Sequence, residues 1–405
     1  MRSDLDRLME ERGLDALVVA GRADEANMLY VLRGVAIPGA IYVKKRGHPG
    51  VLCHGTMERG EAERTGLRTR NLGLYDWKEL LQKAGGDPLE ARVLLFQRVF
   101  QDEDVRGRVA FYGEVDQGVA YRFLGRLAAC LEGIEVVGEY GRSVLAVARE
   151  TKDPDELEKI REVGAATQRV VQKTEQFLRS CPARDGLLHK PDGSVLTVGD
   201  VKARVRVWLA EEGLEESGTI FSQGRDAGLP HSRGDDRAPV TAGVPVVFDI
   251  FPRPSGGGYH FDMTRTWCVG NPSAEALQVY RDVYECYARV TEALRPGVRC
   301  ADLQRMACEF FESRGHPTVC SDPTAQVGYV HSLGHGLGLD VHEEPRLSDH
   351  PGNEAVLRPG VVVTVEPGLY YPDQGIGVRL EDVWAITEDG AVNLGGYPMD
   401  LVLRS

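Results

Sequence analysis

His331-Ser332-Leu333-Gly334-His335-Gly336-Leu337-Gly338-Leu339-Asp340-Val341-His342-Glu343 sets three imidazoles and two carboxylates among four apolar side chains and three glycines. Glycine at alternate positions leaves helical periodicity unsupported and removes Cβ atoms that would hold the backbone away from a bound ion or substrate. An irregular strand fits this pattern, with a solvated glycine-rich loop as the alternative. Partners for the imidazoles elsewhere in the chain decide between them.

Two other stretches supply carboxylates at strand ends. Gly243-Val244-Pro245-Val246-Val247-Phe248-Asp249 and Gly360-Val361-Val362-Val363-Thr364-Val365-Glu366 each run from a turn glycine through a β-branched strand to one acid at the same offset. The repetition points to two halves related by duplication. Between them, Tyr259 to Trp267 reads as a strand returning from the Gly256-Gly257-Gly258 turn, which puts Asp262 across a hairpin from Asp249. Gly375 to Ile386 reads as the last strand pair; its alternation sets Arg379 and Glu381 on one face and Ile376, Val378 and Leu380 on the other.

Toward the N-terminus the texture differs. A short amphipathic helix from Asp4 to Glu11 precedes an apolar strand from Leu14 to Gly21; further strands at Ala40–Val43, Gly50–Cys53, Gly107–Tyr112 and Glu135–Gly138 alternate with helices near Met57–Thr65, Trp77–Lys83 and Asp116–Leu131. This alternation implies an α/β unit ending near Glu139. Asp153-Pro154-Asp155-Glu156 then has the cap, first-turn proline and acidic first turn of a helix start. We place a domain boundary just before it, giving domains 1–150 and 151–405. Residues 183–198 read as a loop or hairpin, followed by a helix through Val201, Val205, Trp208 and Leu209. Helices at Ala274–Leu294 and Ala301–Ser313 separate the two strand-bearing halves.

With 405 residues, 42% hydrophobic and 27% charged, the chain has the composition of a globular protein of two or three domains. A net charge of -13 argues against a nucleic-acid partner. The polar N-terminus and the lack of a long apolar run argue against a signal peptide and a membrane span. Eight cysteines without a Cys-x-x-Cys pair indicate neither a zinc knuckle nor a disulfide scaffold. Reduced thiols in the cytoplasm are the expectation.

Collected from the strand ends, Asp249, Asp262, His335, Glu366 and Glu381 form a constellation of four carboxylates and one imidazole. Burying them together without cations costs several kcal/mol per unpaired carboxylate or shifts their pKa values toward neutrality. Two divalent ions resolve the conflict, and hard carboxylates with one imidazole suit manganese, cobalt, iron or zinc. Such a pair activates water and polarises a carbonyl, which points to hydrolysis.

Asp249, Tyr259-x-x-Asp262-Met263-Thr264-Arg265-Thr266, Gly334-His335-Gly336-Leu337-Gly338 to His342-Glu343, Val365-Glu366-Pro367-Gly368 and Val378-Arg379-Leu380-Glu381-Asp382 together resemble the pita-bread metallopeptidases, in particular their proline-specific branch of aminopeptidase P and prolidase. The resemblance covers the chain from about Thr151 onward. It implies an α+β architecture, a pita-bread catalytic domain preceded by a smaller α/β domain of the creatinase/prolidase type. It further implies that Asp262 and Glu381 bridge two metals, manganese favoured, while Asp249 completes one site and His335 with Glu366 the other. Glu366 would move the proton of the attacking water, His342 would stabilise the tetrahedral intermediate, and His231 would line the substrate pocket. His331 would lie by the proline, Arg346 would meet a dipeptide's terminal carboxylate, and Arg379 would hold a neighbouring carboxylate. The implied substrate is a small peptide with proline in second position, and the implied assembly a homodimer. The chain departs from the family in the loop between Asp249 and Asp262, where Phe251-Pro252-Arg253-Pro254 and three glycines replace a short turn. Two alternatives are a non-catalytic pita-bread binding module and a creatinase-like amidinohydrolase. The motifs leave dipeptidase and aminopeptidase unseparated.

Overall fold

The computed structural model describes residues 1–404. The chain divides into two compact units, Met1–Arg149 with Gly256–Gly258, and Glu150–Ser255 with Tyr259 onward.

In the first unit a six-stranded sheet runs in the order Arg68–Asn71, Val51–His54, Ile41–Lys45, Ala16–Val19, Gly107–Tyr112, Ile134–Val137. Ala16–Val19 pairs in parallel with Gly107–Tyr112 and antiparallel with Ile41–Lys45, so the sheet is mixed. The helices Leu5–Glu11, Arg59–Arg64, Trp77–Lys83 and Gln117–Cys130 lie close to their expected bounds. One long helix, Pro88–Asp102, is absent from the sequence reading although it carries the same start signal as the helix at Pro154. Asp87 accepts from the Leu89 N–H at 2.8 Å and Pro88 opens the first turn. Its buried Val93, Phe96, Val99 and Phe100 fill the core of this unit. Val144–Glu150 is also helical and lies beyond the expected end of the α/β unit near Glu139.

The second unit repeats one succession. Helices Pro154–Ser180 and Val198–Glu211 precede the antiparallel strands Ile220–Gln223, Val246–Ile250 and Met263–Val269. Helices Ala274–Glu292 and Cys300–Ser313 precede a five-stranded sheet ordered Glu343–Leu347, Gly334–Gly336, Val362–Val365, Asp382–Ile386, Ala391–Asn393. Each helix is amphipathic and buries one stripe. On Pro154–Ser180 that stripe includes Ile160, Val163, Val170, Phe177 and Leu178. Glu156 closes this helix's first turn by accepting the Asp153 N–H at 2.8 Å.

Several local expectations need correction. Tyr259–Asp262 is not strand; regular pairing begins at Met263, with Asp249 opposite Thr264. Asp262, two residues before Thr264, therefore shares a face with Asp249 instead of standing directly across from it. The Gly375–Ile386 stretch is not one hairpin. Ile376–Arg379 pairs with Gly368–Tyr371, whereas Asp382–Ile386 belongs to the five-stranded sheet, and Leu380-Glu381 is the crossing point. Two strands follow it, Ala391–Asn393 and Val402–Leu403. The thiols are not all reduced: Cys308, on the helix Cys300–Ser313, is disulfide-bonded to Cys320 in the following loop, and six cysteines are free. A separation of twelve residues lets the chain turn back past the helix end. Among the described residues no helix is long and apolar enough to cross a membrane.

Candidate metal centre

Among the described residues the two sheets are joined by the backbone bridge between Thr264 and Glu381. Thr264 N–H donates to the Glu381 carbonyl at 3.4 Å, and Glu381 N–H donates to the Thr264 carbonyl at 3.1 Å. Asp249 and Asp262 approach this seam from one side, His335 and Glu366 from the other, and Glu381 stands on the seam itself.

Each side chain is aimed by local structure. Asp249 lies within the fully buried strand Val246–Ile250, and Glu366 follows the fully buried strand Val362–Val365. A bulge at His335/Gly336, where the register against Glu343–Leu347 shifts, turns the His335 ring. The glycines around it serve strand packing. A Cβ on Gly334 would stand 2.1 Å from the Thr364 carbonyl oxygen, and one on Gly336 would stand 2.1 Å from that of Glu344. This revises the expectation that they clear space for an ion or substrate, since their neighbours are adjacent backbone.

A cavity of about 550 Å³ is lined by all ten residues singled out by the sequence: His231, Asp249, Asp262, His331, His335, His342, Arg346, Glu366, Arg379 and Glu381. His335 Nε2 lies 3.7 Å from Asp262 Oδ2 and 3.5 Å from Glu366 Oε1. Donor atoms of Asp262, His335 and Glu381 all fall within 4.8 Å of one another. Asp249 Oδ1, Asp262 Oδ1 and Glu381 Oε1 are buried without a hydrogen-bond partner. Such oxygens are rare in folded proteins and are free to accept a cation.

The electrostatics agree. Burial, then repulsion from Asp249, raises Asp262 well above the ordinary carboxylate range. Burial, then Asp262, does the same for Glu381, and burial raises Glu366 to about 8 against the opposing field of Arg379. His335 is pushed down to about 3 by burial and then by His342, whose ring centroid is 4.3 Å away. Its Nδ1–H donates to the Gly336 carbonyl at 3.0 Å, which leaves the Nε2 lone pair facing the carboxylates. Four oxygen-donor side chains, one oriented neutral imidazole and three orphaned oxygens fit two divalent ions.

Arg379 is no surface residue. At 3% exposure it donates to Asp249 Oδ2 at 2.7 Å, Thr264 Oγ1 at 3.2 Å and the Tyr370 hydroxyl at 2.8 Å. Thr264 in turn donates to Glu381 Oε2 at 2.7 Å, so one guanidinium braces acids from both sheets. The Tyr370 hydroxyl, accepting from Arg379, donates to His331 Nε2 at 2.9 Å, and His331 Nδ1–H donates to the Ser332 carbonyl at 2.7 Å. His331 is thus a neutral, fixed imidazole, with its pKa pushed down to about 4 by burial and Arg379. His342 and His231 are exposed toward the cavity, as is Arg346.

The pattern of metallopeptidase family M24 matches residues 158–388, more than half of the chain. This chain belongs to metallopeptidase family M24. It is 33% identical over 273 residues to the probable dipeptidase PepE of Mycobacterium tuberculosis, covering 67% of this chain and 65% of that protein. It is 36% identical over 197 residues to the Xaa-Pro dipeptidase of Pyrococcus furiosus, covering 48% and 52%. These alignments therefore span from about half to just under two thirds of the relatives' lengths. The crystal structure of dipeptidase PepE from Mycobacterium ulcerans superimposes with a TM-score of 0.73 at 25% identity, covering 100% of this chain and 97% of that one. The fold is that of the M24 pita-bread enzymes, an α+β catalytic unit with a further N-terminal unit, as the motifs implied.

The supports of this M24 site are residues to which the motifs assign no role. Tyr370 is buried at the Arg379 and His331 contacts, and Arg265 lies beneath the seam. Lys152, 2% exposed, pairs at 2.8 Å with Glu343, whose other oxygen accepts from Leu339 and Asp340 N–H and shapes the turn carrying His342. Of these, Arg265 and Glu343 lay inside quoted motifs but carried no role.

Proposed function

We propose that this M24 protein is a two-metal Xaa-Pro dipeptidase, hydrolysing the bond between an N-terminal residue and a following proline. The observation that carries this reading is the convergence of Asp249, Asp262, His335, Glu366 and Glu381 on one cavity with three buried carboxylate oxygens unpartnered. Divalent ions, manganese favoured, would be held by those five residues and supply Lewis acidity and a nucleophile at neutral pH.

The chain's own groups do the rest. Glu366, the ligand nearest His335 Nε2 and the least buried of the four acids, takes the proton of the attacking water and passes it to the leaving proline nitrogen. His342, exposed to the cavity beside His335, donates toward the developing oxyanion. His331, rigid and neutral, offers a flat wall for the proline ring, and His231 lines the same cavity. Arg379 fixes Asp249. Arg346 has no ion-pair partner among the described residues and is placed to receive a free carboxylate, which favours dipeptides over longer peptides. In this reading the enzyme works in the cytoplasm as a homodimer, and residues 1–150 form the creatinase/prolidase-type N-terminal domain.

Dialysis against chelator followed by manganese or cobalt addition tests the proposal. Cleavage of Leu-Pro only after metal addition, faster than cleavage of Leu-Pro-Xaa, supports it. Chelator-insensitive turnover sinks it, and preference for the tripeptide makes the enzyme an aminopeptidase P. Glu366→Gln should lower kcat by about 10²-fold or more with the fold retained, and Asp262→Asn should lower the bound manganese per chain. Activity retained in both would remove these residues from the mechanism.

A further inference from the structure

Three arginines line the catalytic cavity, and their engagement differs. Arg379 is bound to Asp249, Thr264 and Tyr370. Arg346 and Arg233 are exposed to the cavity, and neither forms a side-chain ion pair or hydrogen bond among the described residues. The protein has 61 acidic residues against 48 basic ones, so an arginine beside an acidic cluster readily finds a carboxylate unless geometry prevents it. For Arg233 geometry does prevent it. Asp236, three residues on, is taken by Lys202 at 2.8 Å, and Asp235 accepts the Arg237 N–H at 2.9 Å.

The Arg233 guanidinium lies on the first half of the catalytic unit, over Gly218 and near the Phe251 ring. A Cβ on Gly218 would stand 2.6 Å from Arg233 Nη2 and 3.5 Å from Phe251 Cζ. Arg346 comes from the second half, on the strand bearing Glu343, and its charge acts on His335 and His342. One cavity thus presents two free cations from opposite halves. A dipeptide with a neutral first side chain has one carboxylate to offer them.

Resting on the dipeptidase reading, we propose that Arg233 is a specificity residue that selects peptides whose first residue has a carboxylate side chain, acidic residue followed by proline. The terminal carboxylate meets Arg346, and the side-chain carboxylate meets the N–H edge of Arg233, whose guanidinium packs over Gly218 where no side chain intervenes. An exposed guanidinium gains most from a carboxylate it can engage in a charge-assisted, two-pronged bond, and an isosteric amide cannot supply that.

The test is the isosteric pair Glu-Pro and Gln-Pro. With manganese-loaded protein, kcat/KM for Glu-Pro should exceed that for Gln-Pro by about tenfold. Arg233→Gln should bring the ratio to about one, and Arg233→Lys should restore part of it. Kd values for the same pair, measured calorimetrically with analogues in which the scissile carbonyl is replaced by methylene, should show the same Arg233-dependent ratio. A ratio near one in the wild type, or a ratio unmoved by Arg233→Gln, overturns the proposal. An Arg233-dependent Kd ratio without turnover of either peptide upholds the acidic-ligand site and overturns the dipeptidase reading instead.

Discussion

Arg265 offers the sharpest test of how the seam between the two sheets is held. At 1% exposure it points all its donors at acceptors: Nε to the Pro398 carbonyl at 3.0 Å, Nη1 to the carbonyls of Thr264 at 2.9 Å and Glu381 at 2.7 Å, and Nη2 to Asp382 Oδ1 at 2.8 Å and the Tyr397 carbonyl at 2.6 Å. The Thr264 and Glu381 carbonyls are the two that join the sheets, and their residues brace and supply a metal-ligand candidate. Arg265→Met leaves Asp382, also 1% exposed, with only the Tyr287 hydroxyl and the Asn393 amide. Stranding one member of a buried ion pair costs about 3–5 kcal/mol, a large part of a typical stability of about 5–15 kcal/mol. Urea unfolding with chelator present should show that loss, and manganese titration should show weakened binding through the unbraced Glu381. The double variant Arg265→Met/Asp382→Leu removes the stranded charge and should recover about 2 kcal/mol or more, but not manganese affinity, because the two carbonyls still lack their shared donor. A wild-type urea midpoint and wild-type manganese affinity in Arg265→Met would refute the reasoning.

Two further outcomes follow from the charges in the same unit. Lys152→Met removes the ammonium paired with buried Glu343, which keeps its bonds from the Leu339 and Asp340 N–H groups, and should cost about 1–3 kcal/mol; because Glu343 shapes the turn before His342, kcat should fall more than KM rises, and equal loss in Glu343→Gln and Lys152→Met by urea unfolding alone, with kinetics unchanged, would reduce the pair to a structural one. Burial and mutual repulsion raise Asp262, Glu381 and Glu366, the last to about 8, so the metal-free fold holds protons that the unfolded chain releases near pH 4.5. Stability from these groups is present below the unfolded value and lost as pH rises toward 8, so Tm in chelator should fall from pH 5 to pH 8; saturating manganese should abolish the fall, and a pH-independent Tm in chelator would contradict the burial of these acids.

The acids and the imidazole of the cavity were legible in the sequence because they stand in or beside patterned strands. Asp249 and Glu366 close β-branched runs, and His335 sits in a glycine alternation that no helix tolerates. Their partners were not legible, because the contacts join residues far apart in sequence with no local mark. Lys152 and Glu343 are 191 positions apart, and Arg265 and Asp382 are 117. The Gly375–Ile386 alternation was read correctly as to faces and wrongly as to pairing, since period two fixes which side chains share a face but says nothing about which strand lies alongside. The helix at Pro88 has its cap and apolar stripe in the sequence, so its start was legible by the same signal as the helix at Pro154. The Cys308–Cys320 bond needed the turn after Ser313, which spacing alone does not specify.

The choice between protons and metal ions as the cluster's counter-charge can be argued from the unpartnered atoms. Protonating Asp262 or Glu381 would relieve the repulsion that raises them, and the Asp249 carboxylate is within hydrogen-bond reach of Asp262, but the buried Oδ1 of Asp262 and Oε1 of Glu381 still have no partner. A divalent ion satisfies several such oxygens at once and needs none of them to donate. Arg379 already neutralises one of the four carboxylates through Asp249, so the acids retain three negative charges. Two divalent ions overshoot that by one positive charge, which a hydroxide or an incoming carboxylate offsets. A single divalent ion would leave one buried carboxylate uncompensated, at a cost of several kcal/mol. The buried arginine therefore does more than hold Asp249 in place: it sets a charge balance in which two ions plus one anionic reactant come closest to neutrality.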